Sequence, residues 1–219
     1  MTNLNAILVI AYRDLLKLLR DRMRLVTSLI FPFIFIGILG GSLQASFGKN
    51  AGFDYLTFPF TGVLAQTLFS SAAQGVISLI DDRENDFTQE IFVSPVSRYS
   101  IVFGKILGET LVALVQGIGI IVFALVLGIP FSLQTIVAIL PVSIIACLFG
   151  GAFGITILGS LNTRRAAENV FTFIMLPQYF LAGVFNPLQN LPWFLDLLSK
   201  LAPMRYAVDL MRDVFYAAQ

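Results

Sequence analysis

The residues able to do chemistry are few in this 219-residue chain, and they are clustered. The densest run is Asp81-Asp82-Arg83-Glu84-Asn85-Asp86, followed by Phe87-Thr88-Gln89-Glu90-Ile91-Phe92-Val93-Ser94-Pro95. Lys105 and Glu109 stand four apart in an apolar surrounding, the helical distance of an ion pair. Gln66, Ser70, Gln74 and Ser78 recur every fourth residue, a polar stripe along one helix face that Gly62 extends. Histidine is absent, and the one cysteine, Cys147, lies in an apolar run. That removes Ser-His and Cys-His nucleophile pairs, His/Cys metal clusters and an intramolecular disulfide.

A nucleotide site is not written here either. The Gly-Lys pairs, Gly48-Lys49 and Gly104-Lys105, lack the following Ser/Thr and the glycine five positions before that a phosphate loop needs. No cofactor and no metal is expected on this chain, and no catalytic residue. A net charge of +1 gives no nucleic-acid footprint.

The elements that position these residues follow from composition. Charged residues make up 12% and apolar ones 57%, about half the charge of an ordinary soluble chain, which carries roughly 25%. The expected fold is all-α, a polytopic integral membrane protein forming a single transmembrane domain over 1–219. A bilayer core of about 30 Å takes about 20 helical residues. Five spans are predicted, over 25–47, 56–80, 106–128, 135–161 and 169–188. Helices are the spanning form, because lipid satisfies no backbone polar group.

Residues 1–24 repeat Leu4, Ile7, Leu8, Ala11, Leu15, Leu18 and Leu19 at helical spacing, with basic residues crowding the second half. This predicts an amphipathic helix lying in the membrane interface. Residues 189–219, broken by Pro192 and Pro203, predict short outer amphipathic helices, either re-entrant or on the surface, about 192–201 and 204–216. With the amino terminus in the cytoplasm, only Lys49, Lys200, Arg205 and Arg212 of the 14 Lys and Arg fall outside. The basic bias therefore places the amino terminus inside.

Two readings of each motif stay open on pattern alone. The loop 81–105 contains a short helix with Phe87, Ile91 and Phe92 on one face, suited to docking in another protein's groove or serving as a solvated connector. The stripe on span two lines a cargo route or dimer seam, or makes ordinary hydrogen bonds between helices. Small-residue rows, Ala146-Gly150-Gly154 and Gly37-Gly41, predict close helix packing. Glu109 forms an intramembrane pair with Lys105, or serves as the ion site of a self-contained secondary transporter or channel. Asn162-Thr163-Arg164-Arg165 forms the other inner loop, a topological anchor or a secondary partner contact.

The run from Arg83-Glu84 through Thr88-Gln89-Glu90-Ile91-Phe92-Val93-Ser94-Pro95-Val96-Ser97-Arg98 to Gly104-Lys105 resembles the first inner loop of permease subunits of type 2 ABC exporters. The stretch Leu181-Ala182-Gly183-Val184-Phe185-Asn186-Pro187, with Ala202-Pro203-Met204-Arg205-Tyr206, resembles that family's carboxy-terminal signature. The resemblance covers essentially the whole chain. It implies a permease subunit that moves amphiphilic cargo (drug, lipid or lipid-linked glycan) outward across a bacterial or archaeal plasma membrane. It further implies a second permease copy and two cytoplasmic ABC ATPase subunits that bind ATP and Mg. Residues Arg83, Glu84, Asp86, Phe87, Thr88, Gln89, Glu90, Ile91 and Phe92 would form the coupling helix. A sixth span, usual in that family, is not present up to Gln219.

Overall fold

The structure, a computed structural model, describes residues 3–42, 45, 56–84, 97–185, 188 and 192–218. Every regular element among them is helical: α1 (Asn3–Arg20), α2 (Arg22–Ile34), α3 (Thr57–Glu84), α4 (Arg98–Val126), α5 (Leu133–Leu158), α6 (Arg164–Leu181), α7 (Trp193–Leu201) and α8 (Pro203–Ala217). Most of the expected coupling helix, Asp86, Phe87, Thr88, Gln89, Glu90, Ile91 and Phe92, lies outside the described residues, and of Arg83 only the backbone is described.

Among the described residues three helices are long and apolar enough to cross a bilayer: Thr57–Asp82, Tyr99–Val126 and Leu133–Leu158. They carry the second, third and fourth expected spans. The first and fifth are shorter. In α2 the apolar run is interrupted by Pro32 and continues as a six-residue stretch of wider π-type winding, Phe35–Gly40. Helix α6 has 18 residues but begins on Arg164, Arg165 and Glu168, so its apolar part is shorter still. Its end is set by Gly183 at φ 69°, in the left-handed region glycine enters without penalty.

Helix α3 is the hub. In its apolar window 78% is buried within the chain, against 39% for α5, which leaves α5 a broad face for lipid. The closeness of α3 to α5 comes from the small-residue row: a β-carbon on Gly150 would collide with the Phe69 carbonyl, and one on Gly154 would stand 2.6 Å from that of Ala73. Side-chain-free patches let two backbones meet, which is the chief source of helix association where lipid offers no hydrophobic drive. The other row does not form such a seam. Gly37 faces the Phe123 ring, and Gly41 has no described atom of another element nearby.

The tail divides where its prolines require, into α7 and α8. Helix α8 is more than a surface anchor, since Met204, Val208, Met211 and Phe215 are fully buried. Phe215 meets Phe60 and Phe131 edge to face at 5.5 and 5.6 Å, and the latter two meet at 5.4 Å. Edge-to-face rings at this spacing add to the burial of their area. Arg212 lies over the Phe58 ring at 3.8 Å and donates to the Gly183 carbonyl at 3.0 Å. This fixes α8 across the end of the bundle opposite Asp82. Trp193, on α7, stays 80% exposed, as a ring at a lipid headgroup boundary would be.

Candidate functional site

Three carboxylates, Asp81, Asp82 and Glu84, occupy the last turn of α3. Acids at a helix carboxy terminus oppose its macrodipole, so their stability there has to come from cations. The chain supplies them from three other helices. Asp82 is met by Arg13 at 3.0 Å and Lys17 at 3.8 Å from α1, and by Lys105 at 3.3 Å from α4. Lys105 also reaches Asp14 of α1 at 2.9 Å, with both side chains almost wholly buried. On the other side of α3, Asp81 meets Arg164 of α6 at 3.2 Å, and the Glu84 carboxylate accepts from the Arg164 amide at 2.9 Å. Glu168 closes this second group at 2.7 Å from Arg164. Hydrogen bonds donated to Glu168 and then to Asp81 hold the Arg164 guanidinium above its ordinary pKa.

The sequence missed the first cluster. The spacing offered Lys105 a partner along its own helix in Glu109, and it did not announce the pairs that run across to Asp14 and Asp82. Helix α1 does not simply float in the interface: Ala6, Ala11, Asp14 and Leu18 bury against the bundle while Leu4, Leu8 and Leu19 stay exposed. Gly104 and Gly108 of α4 admit it, with Ile10 and Ala11 pressed against them. That approach brings Asp14 over Lys105. Glu109 is buried too, its side chain lying over Gly75 of α3. The only signal in the sequence was Asp14 itself, an acid on the otherwise basic stretch of α1.

The stripe on α3 borders two open cavities. The first, about 400 Å³, lies between α2, α3, α4 and α6 and is lined by Thr27, Ser28, Phe31, Pro32, Gln66, Thr67, Ser70, Ser71, Gln74, Gln116 and Tyr179. The second, about 670 Å³, extends toward the ion pairs and is lined by Asp21, Gln74, Ile77, Ser78, Asp81, Arg164, Glu168, Phe171 and Thr172. Gln74 belongs to both. All four stripe residues thus line one or other of these cavities. Gln66 and Ser70 are buried, yet among the described residues Gln66 Oε1 and Ser70 Oγ have no hydrogen-bond partner. An unmet polar atom of that kind costs about 1–3 kcal/mol, an outlay the packing alone does not explain.

Along this wall the hydroxyl protons of α2 are already committed. Thr27 donates to the Met23 carbonyl and Ser28 to that of Leu25, both at 2.8 Å. Pro32 has no amide proton for the Ser28 carbonyl four residues back, which adds acceptor character beside the cavity. Among the described residues no group of His, Cys, Asp or Glu could hold a metal ion.

Open cavities edged by amide and hydroxyl groups beside long apolar helices fit a membrane transport protein. The chain belongs to the ABC-2 type transporter family, whose model matches residues 5–216. It is similar to transport permease ycf38 of Cyanophora paradoxa, 28% identical over 214 residues, covering 94% of this chain and 73% of the relative. The inner membrane transport permease YadH of Escherichia coli K12 is 28% identical over 198 residues, 87% of this chain and 75% of the relative. A multidrug ABC transporter permease named as probable, YbhR of the same strain, is 25% identical over 169 residues, 76% of this chain and 45% of that protein.

Proposed function

We propose that the chain is the membrane subunit of an ATP-driven exporter. Two copies pair in a plasma membrane with their amino termini in the cytoplasm, and two separate ABC ATPase subunits bind the ATP and Mg. Cargo is amphiphilic and moves outward. The relatives are named as permeases, one of them as a multidrug permease, which supports transport as the task.

The observation that carries the reading is the anchorage of α3 at the mouth of the loop 81–105. A loop pushed by an ATPase does work only if its root is tied to the helices that must move, and only if the two states differ in contact energy. Asp82 ties that root to α1 and α4, and Asp81 and Glu84 tie it to α6. Two cavities that share Gln74 lie along α3 from that root. The segment about Glu84 to Val93, expected from the sequence as a short helix and mostly outside the described residues, is the piece the ATPase seats on.

Reversing charge at Glu90, or placing Pro at Gln89, is expected to abolish cargo-stimulated ATPase activity of the purified complex. Membrane insertion, followed by protease accessibility, is expected to stay intact. Full coupling in both variants would refute the assignment. Glu109→Gln is expected to retain ATP-driven transport. Transport that instead follows a proton gradient without any ATPase, and is lost in Glu109→Gln, would establish a secondary transporter.

A further inference from the structure

We infer that the cavity between α2, α3, α4 and α6 binds an uncharged, multiply hydrogen-bonding head group, of the sugar or polyol kind, carried on an apolar tail. The inference deepens the export reading by naming a cargo class, and it rests on that reading only for the direction of travel. Its volume of about 400 Å³ is that of a small-molecule site. Among the described residues its lining contains no Asp, Glu, Lys or Arg, so none of them would neutralise a charged head group taken into the bundle. What the lining does contain is amide and hydroxyl groups. Gln66, Gln74 and Gln116 each offer a carbonyl and an NH₂, the paired acceptor and donor that a vicinal diol matches.

Two of these groups ask for a ligand on their own account: Gln66 Oε1 and Ser70 Oγ are buried without a partner and border the cavity. Opposite them Phe31 and Tyr179, ring centroids 6.5 Å apart, supply an apolar wall for the ring face or the start of the tail. Among the described residues the wall of the neighbouring cavity carries the carboxylates of Asp21, Asp81 and Glu168 and the guanidinium of Arg164, which pairs with Asp81 and Glu168. A phosphate-bearing amphiphile would lose hydration on passing beyond it to the cavity between α2, α3, α4 and α6.

The test uses the permease with its ATPase in phosphatidylcholine nanodiscs. Three photoreactive amphiphiles with one alkyl chain carry a maltoside, a trimethylammonium or a phosphate head group. The maltoside is expected to label the 27–32 and 66–74 segments, and the other two to label them far less. Gln66→Met with Ser70→Ala is expected to cut that labelling roughly tenfold, the loss of about one net hydrogen bond. Gln66→Met alone is expected to leave the unfolding temperature unchanged or raised, because the amide oxygen is unpaired in the free protein. Equal labelling by the phosphate or ammonium probe, insensitivity to the double substitution, or a lowered unfolding temperature in Gln66→Met would each overturn the site.

ATP-driven movement of the same probes into vesicles separates the two claims. Transport of the phosphate probe without maltoside labelling keeps the exporter and removes the site. Specific maltoside labelling with no ATP-driven movement of any probe keeps the site and removes the exporter.

Discussion

Lys105 and Asp14 show how a single charge pair can hold two elements in register. Both side chains are nearly inaccessible, at 4% and 3% of full exposure, so water screens little of their attraction. Removing Lys105 leaves the buried Asp14 with Arg13, at 3.2 Å. Lys105→Met is therefore expected to destabilise the protein, by less than the about 3–5 kcal/mol of a fully orphaned buried charge, read as a fall in the unfolding midpoint of the purified protein. Asp14→Leu with Lys105→Met should regain much of that loss, because two apolar chains replace two desolvated charges. If the double variant is no more stable than the single, the ion pair is not what joins α1 to α4. At this scale the sequence was legible only in part. Lys105 stood out by its spacing from Glu109, whereas Asp14 and Asp82, its partners on other helices, lay far away in sequence. The unpaired state of Gln66 Oε1 could not be read at all, since it depends on what faces α3.

Pairs of helices tell a second story, because here spacing in sequence and contact in space agree more often. The Ala146-Gly150-Gly154 row predicts a close seam, and α5 meets α3 along it. Gly150→Val is expected to force these helices apart at a cost of about 1–3 kcal/mol or more, measured by yield of folded protein and by unfolding midpoint. Normal stability in that variant would mean the seam is looser than its geometry implies. The contact between α6 and the root of α3 makes a separate prediction. Arg164→Glu faces Asp81 and Glu168 with like charge, and should weaken coupling between ATP hydrolysis and transport. Adding Asp81→Lys should restore part of it, whereas no restoration would count against direct pairing. These pairs are largely exposed, so their effect is expected in coupling and to be diminished by salt, with little change in stability. The amphipathic pattern of 1–24 announced a helix on the membrane surface, but could not reveal that glycines on α4 draw it into the bundle.

For the molecule as a whole, composition already required a helical bundle in lipid, and three of the five expected spans are long apolar helices. Of the other two, the first continues from α2 through the π-type stretch and then leaves the described residues, and the fifth opens on a charged first turn in α6. The amphipathic pattern predicted a helix over 204–216 but not how deeply α8 sits, with Met204, Met211 and Phe215 on its buried face. Phe215→Ala is expected to cost about 3–5 kcal/mol and to loosen the end of the bundle, measured by unfolding midpoint and by protease cleavage near Ala202. A mild effect would mean that α8 lies on the surface in the membrane.

One consequence of the acidic finish of α3 concerns length. Its final turn is wound against its own dipole and stays wound while Arg13, Lys17, Lys105 and Arg164 neutralise Asp81 and Asp82 and the Arg164 amide donates to Glu84. If a docked subunit draws those partners away, each residue that unwinds gains about 1.8 Å of reach, the difference between an extended and a helical rise. Under the proposed coupling, the linkage to an engine would be a tether with slack in reserve, spooled on the end of the central helix and released by stealing its counter-ions.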